Sequence, residues 1–294
     1  MYGLQPFSNA GRKEERVAAG RLAIVEAIKA GTTTLGDYHQ GMDETCAFID
    51  KTGARGNITQ LIRAAKQRVY KTGELYEFVD EDGEKSLNEN IELFEKWHNK
   101  NGRMRILFGP QGADFVSPEL LLKIQKAAKE RNTKIHMHVQ QGDRETYQIV
   151  ERYGKRPTEF LDDLGYLDST LIALHLTDCN DEEAALIAKR GAGMIVNPAS
   201  IGIIDGIVCP SMAFQNAGGN VRHKRHVTRL RQRMEHRAVD CIVHADMEII
   251  RIRREGRRIQ LRNIGERLVF GAGHHMGLTI AGCLLIGLVG PLTG

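Results

Sequence analysis

From residue 14 to residue 221, short apolar runs rich in β-branched side chains alternate with longer amphipathic stretches. Strands separated by helices of this length must run the same way, because a tight turn joins only antiparallel neighbours. The rhythm therefore predicts a mostly parallel α/β fold. Strands are expected at TTTLGDY (32–38), ARGNITQLI (54–62), RMRILFG (103–109), TKIHMHV (133–139), LIALHL (171–176), AGMIVNP (192–198) and GGNV (218–221). A first helix over 14–29 would place Val17, Leu22, Val25 and Ile28 on one face and close at Gly31. A second over 87–100 carries Leu87, Ile91, Phe94 and Trp97 at helical spacing. Ser117 followed by Pro118 reads as an N-cap with proline at the first helical position, opening a helix to Glu130. Another helix is expected over 181–189. Seven strands are one short of a closed (β/α)8 barrel and also suit an open doubly wound sheet. Neither GxGxxG nor GxxxxGK[ST] occurs, which removes the simplest nucleotide-binding open sheets.

Charge breaks the pattern at one point. Between Arg222 and Arg267 there are 13 arginines and one lysine, and this segment accounts for the formal net charge of +4. The chain is therefore expected to divide into a domain over 1–221 and a segment of different character over 222–294. A change of reading frame would produce so abrupt a switch. Clustered arginines suit phosphate backbones. The segment has no aromatic residues for base stacking and no helix-turn-helix or zinc-finger pattern, which argues against a nucleic-acid partner. The apolar stretch 276–289 is shorter than the roughly 20 residues of a bilayer span, so no membrane partner is expected. The five cysteines form no CxxC pair and no disulfide framework, and the N-terminus has no apolar signal-peptide core. The expected setting is reducing and cytoplasmic.

In a parallel α/β fold the site lies at the C-terminal ends of the strands. His136 and His138 stand two apart on one predicted strand, hence on one face, with Gln140 and Gln141 just beyond. His175 lies near the end of the next strand and Asn197 at the end of the one after. Histidines on adjacent strand ends could supply two ligands to zinc or iron. Alternatively they are structural, each held by a hydrogen bond. His39 and His98 read as structural. Asp37 would either orient a ligand or pair with an arginine.

The segments AGTTTLGDY (30–38), KIHMHVQQGDRE (134–145), LIALHLTDCNDEEAALIAKRGAGMIVNPAS (171–200) and IIDGIVCP (203–210) resemble, in order and spacing, the amidohydrolase superfamily. The resemblance is to the branch with cytosine- and guanine-type deaminases and s-triazine chlorohydrolases. It implies a metal-dependent hydrolase on a (β/α)8 barrel, with ligands from a His-x-His on the first strand, a His on each of the fifth and sixth, and an Asp on the eighth. TTTLGDY then matches the second strand, His138 the fifth-strand position and His175 the sixth. The expected fold is an incomplete TIM barrel, strands 2 to 7 and the start of 8. Three departures stand out. No His-x-His precedes Ala30. Gln141 occupies the position where the family's deaminases carry a glutamate, and an amide cannot shuttle a proton. RHKRHVTRLRQRMEHR follows GGNV where the metal-binding aspartate is expected.

The resemblance thus implies cleavage of C–N or similar bonds in a small, polar, nitrogen-containing substrate. Zinc is the first candidate metal and iron the second. His138 and His175 would be ligands with His136 as a third candidate, and His175 and Gln141 would hold the catalytic positions. With ligands missing at both ends, impaired or absent turnover is expected. A non-catalytic interaction protein and a basic nucleic-acid binder through 222–267 are the rival readings. Exposed sheet edges would favour association with another copy.

Overall fold

A computed structural model describes residues 12–197 and 207–221, with the backbone of two further residue pairs, Cys241–Ile242 and Ile249–Ile250. The apolar tail and most of the arginine-rich segment lie outside the described residues.

In chain order the elements are α1 (Lys13–Lys29), β1 (Thr34–His39), α2 (Asp43–Thr52), β2 (Arg55–Ile62), α3 (Asp80–Trp97), β3 (Met104–Pro110), α4 (Pro118–Glu130) and β4 (Ile135–Val139). They continue with α5 (Asp143–Tyr153), α6 (Pro157–Asp163), β5 (Leu171–His175), α7 (Asp181–Lys189), β6 (Gly193–Ile195), α8 (Ser211–Asn216) and β7 (Asn220–Val221). Strands β1 to β7 form one seven-stranded sheet in sequence order. The β3–β4, β4–β5, β5–β6 and β6–β7 ladders are parallel. A doubly wound sheet would reverse its strand order midway. This one does not, so the topology is that of a (β/α) barrel with seven strands. The remaining two pairs, β8 (Cys241–Ile242) and β9 (Ile249–Ile250), make a separate antiparallel pairing.

By internal contact the described residues fall into two units, 12–58 with 99–105, and 59–98 with 106–221. In the first, α1 packs on α2 through Ala23, Ile24 and Ala27, beside buried Cys46 and Ile49. The apolar face expected for α1 is not the buried one: Leu22 is 55% and Val25 39% exposed. Two alanines flanking one isoleucine allow close helix approach, and that contact overrides the larger side chains on the adjoining face.

The second unit holds the larger core. Phe108, Ile135, Met137, Val139, Leu171, Ala173 and Met194 from the strands meet Leu121, Ile124, Leu161 and Ile187 from the helices. Helices cover parallel strands on their outer face, so β4 and β5 are buried almost throughout rather than at alternate positions. Helix α4 begins as the sequence suggests: Ser117 Oγ accepts a hydrogen bond from the Leu120 N–H at 3.3 Å, with Pro118 next to it. Ser117→Ala leaves that amide without its cap. It should lower unfolding free energy by about 1 kcal/mol, read as a lower urea midpoint at constant slope. Strand β7 is shorter than GGNV. Gly218 has φ of 89°, and a Cβ on Gly219 would lie 2.2 Å from the Phe214 ring, so both glycines belong to the turn.

Candidate functional site

The paired strands β4 and β5 align Val139 with His175, one register step beyond His138 with Leu174. This brings the imidazoles of His138 and His175 together, with ring centroids 5.3 Å apart and planes 13° from parallel. His138 Nδ1 lies 2.7 Å from the carbonyl oxygen of Gln111. A carbonyl only accepts, so Nδ1 carries the proton and the lone pair sits on Nε2. Burial pushes the His138 pKa down to about 4, and the nearby Arg144 charge acts in the same direction. Burial, then the two neighbouring histidines, hold His175 well below its ordinary value. Both rings are therefore neutral at pH 7, the form that binds a metal.

Backbone torsion aims the second ring. His175 has φ of 75°, Leu176 of 53° and Gln140, at the end of β4, of 47°. Non-glycine residues enter this left-handed region at a cost, and surrounding contacts must hold them there. The Leu176 N–H donates to both Val139 O and Leu174 O at 3.1 Å. The fully buried Gln140 side chain donates to Asp178 O (3.3 Å) and Glu183 Oε2 (3.2 Å) and accepts from Thr158 Oγ1 (2.5 Å). Its carbonyl accepts from the Asp178 N–H at 2.9 Å. One glutamine thus ties the end of β4 to α6, α7 and the loop after β5. Asn197 Nδ2, from the end of β6, lies 3.4 Å from both ring nitrogens of His175.

The other expected site residues lie as follows. His136 is buried, with Nδ1 2.9 Å from Thr59 Oγ1. Gln141 is half-buried, and its backbone N–H donates to Glu145 Oε2 at 3.2 Å. Asp37 is buried and makes no ion pair among the described residues; burial pushes its carboxyl up to about 7. His98 is structural, accepting from the Ile106 N–H and stacking on Phe94 at 4.1 Å.

The donor chemistry of His138 and His175 suits zinc, but the described residues include no set of three His, Cys, Asp or Glu side chains able to hold a metal ion. A catalytic zinc ordinarily takes three protein ligands, so the pair by itself does not make such a site among the described residues.

Sequence reasoning missed a second charged cluster at the same strand ends. Arg63 follows β2, Asp114 and Phe115 follow β3, and Arg144 and Glu145 open α5 after β4. Arg144 Nε pairs with Oδ2 of the buried Asp114 at 3.3 Å. The Phe115 ring lies under both guanidinium groups, Arg63 at 4.6 Å and Arg144 at 4.8 Å, and stacks on Tyr76. Arg63 donates from each guanidinium nitrogen, Nε to Ala65 O, Nη2 to Lys66 O and Nη1 to Gln111 Oε1, bracing the residue that orients His138. Glu145 is 1% exposed; burial first, then the Asp114 charge, push its carboxyl up to about 8. The string GDRE after the His138 strand was a visible signal, but nothing local says that Arg144 meets Asp114, 30 positions earlier.

At the other end of the strands a shallow cavity of about 290 Å³ is lined by Lys134, Ser169, Gly191 and Asn220 among others. It is remote from the imidazole pair by topology, at the N-terminal ends of β5 and β6. No helix among the described residues is long and apolar enough to cross a membrane.

A family model described as the amidohydrolase family matches residues 7–247. The chain is similar to the 5-methylthioadenosine/S-adenosylhomocysteine deaminase of Carboxydothermus hydrogenoformans, with 34% identity over 180 residues, 61% of this chain and 39% of the relative. It is 28% identical over 180 residues to the 5'-deoxyadenosine deaminase of Methanosarcina mazei, again 61% and 39%. The chain thus spans about two-fifths of the length of these curated relatives. Among solved structures, an adenosine deaminase from Xanthomonas campestris with bound zinc superposes with a TM-score of 0.63 at 26% identity, over 74% of this chain and 47% of that one. The atrazine chlorohydrolase of Arthrobacter aurescens, solved with zinc, gives a TM-score of 0.60 at 20% identity, over 70% and 47%, a likeness of fold alone.

Proposed function

Because the chain belongs to the amidohydrolase family, with its barrel fold in incomplete form, we propose that it is a hydrolase-type protein directed at a C–N bond of a small nitrogen-containing compound. Within that reading, His138 and His175 are metal ligands, zinc first and iron second; His136, the third candidate, would have to leave Thr59 and turn to them, since the three do not form a ligand set as they stand. Zinc, where held, supplies Lewis acidity and an acidified water. The single observation that carries the reading is the meeting of two neutral imidazoles from adjacent parallel strands, 5.3 Å apart at the strand ends. The relatives' activities make an adenine nucleoside the first substrate class to try.

The same reading holds turnover by this chain to be slight or absent. Two imidazoles bind zinc weakly. Gln141 stands where the resemblance calls for a carboxyl, and an amide offers no proton with a tunable pKa. Ammonia release from adenosine and 5'-deoxyadenosine, with and without added zinc, tests both parts. The expected result is no release above the blank, with a small zinc-dependent rise in Tm that disappears in His138→Ala and His175→Ala. A zinc-dependent turnover abolished by either substitution would sink the claim of inactivity. A zinc effect unchanged in the double variant would sink the ligand assignment.

A further inference from the structure

We propose that Arg156 is a positioning residue for His175: through Glu183, Gln140 and the carbonyl of Asp178 it holds the left-handed turn that sets the two imidazoles face to face. Two arginine bridges join the same pair of helices, α6 and α7, and they differ in what else they hold. Arg190, just past α7, grips Asp162 near the end of α6, Nε to Oδ1 at 2.6 Å and Nη2 to Oδ2 at 2.8 Å. Arg190 leads into β6, so this bridge stands at the strand end away from the imidazoles. Arg156, the N-cap residue of α6, grips Glu183 in the first turn of α7 in the same way, Nε to Oε1 at 2.7 Å and Nη2 to Oε2 at 3.0 Å. As ties between helices the two are alike, with the arginines 42% and 52% exposed. Arg156 makes a further bond: its Nη2 also donates to Asp178 O at 2.7 Å.

Asp178 lies three residues after His175, and its carbonyl is where Arg156 meets Gln140. Gln140 Nε2 donates to that oxygen at 3.3 Å and to Glu183 Oε2 at 3.2 Å. Arg156 Nη2 donates to the same two oxygens. Two donors and two acceptors therefore alternate in one closed ring of hydrogen bonds. The arginine members are the shorter ones and carry charge, which makes them the stronger pair. The Glu183 carboxylate, 12% exposed, also keeps the Gln140 amide turned with Nε2 toward α7 and Oε1 toward Thr158. Between the end of β4 and Asp178 lie His175 and Leu176, at φ of 75° and 53°. Such torsions persist only where their surroundings over-determine them. Without Arg156, Asp178 O keeps only the longer bond from Gln140, and Glu183 is free to turn toward water. The turn can then relax to the β region and carry the His175 ring away from His138. A bridge that served helix packing alone, as Arg190 does, needs no bond to the loop after β5.

The zinc part of the test rests on the ligand reading above and the ring contact does not, so the two fail separately. In the full chain with isotopically labelled histidine, the Cε1–H signals of His138 and His175 are assigned through His138→Ala and His175→Ala. The parent should show a nuclear Overhauser effect between the two rings. Arg156→Met should lose it, and zinc, read at the His175 signal, should bind about 10-fold more weakly. Arg190→Met removes a comparable helix bridge and should leave both unchanged, even where the two variants unfold at the same urea midpoint. Arg156→Lys keeps the charge without the fork and should lie between parent and Arg156→Met. No ring contact in the parent, a contact kept in Arg156→Met, or its loss in both Arg156→Met and Arg190→Met would overturn the assignment. If zinc moves neither signal in the parent, the ligand reading fails and the ring contact alone decides about Arg156. Where Arg156→Met does not fold, Arg156→Lys is compared with Arg190→Lys, and equal effects in that pair would overturn the proposal.

Discussion

Stability should fall as pH is raised from about 6.5 to about 9, and Glu145→Gln should remove most of that fall. The native protein holds the Glu145 proton up to about 8, because the carboxyl is 1% exposed and faces the charge of Asp114. In the unfolded chain the same group ionises near its ordinary value of about 4.3. A folded pKa raised above the unfolded one gives stability that is whole below the unfolded value and lost as pH rises through the folded one. Asp37, raised to about 7, adds a decline of the same sign that ends sooner. The lowered His138 and His175 act oppositely, since the unfolded chain binds their protons more readily. Their contribution is complete above about pH 6.5, near the ordinary value for histidine. From there upward the buried acids dominate. For Glu145 the decline between pH 6.5 and 8 is on the order of 2 kcal/mol. That corresponds to about 4–8 °C in Tm. A thermal melt series in both proteins measures it; parallel slopes in parent and Glu145→Gln would show that the proton is held elsewhere.

Replacing Gln140 should be the most damaging polar substitution near the imidazole pair. Gln140→Ala strips Thr158 Oγ1 of its acceptor and removes the donor from Asp178 O and Glu183, all at a position with no solvent access. Leaving such groups unmade should lower unfolding free energy by about 3 kcal/mol. Gln140→Gly makes the same deletion but tolerates the φ of 47° without strain. Glycine should therefore be milder than alanine by about 1 kcal/mol. Urea unfolding of the pair separates the clamp from the torsion. Equal losses would mean that the backbone at this position carries no strain.

The sheet was largely legible in the sequence because its strands are apolar runs bounded by glycine, proline or a capping residue. Ser117-Pro118 opens α4 and Asn180 caps α7, with Glu183 Oε2 accepting a hydrogen bond from the Asn180 N–H. Helix α5 was not legible. It buries Glu145 and Gln148 beside a single isoleucine, so the side chains that face inward do not read as an apolar stripe. Helix α2 is only ten residues long, and α1 turned a face that the larger side chains did not mark. The imidazole pair could be foreseen, since strand ends in a parallel sheet converge by construction. The Arg144–Asp114 pair and the Gln140 clamp could not. They join groups 18 to 43 positions apart, and such distances leave no local spacing to read.

The left-handed turn at His175 and Leu176 also bears on how such a chain would decay over generations. The imidazole is aimed by a rotation the peptide would abandon if released, and distant hydrogen bonds withhold that release. Mutational drift could therefore disarm the pair by letting one residue swing into the broad β basin, while every strand remained in register. The ancestral aim would vanish before the architecture did, and a descendant could go on folding long after it had forgotten its chemistry.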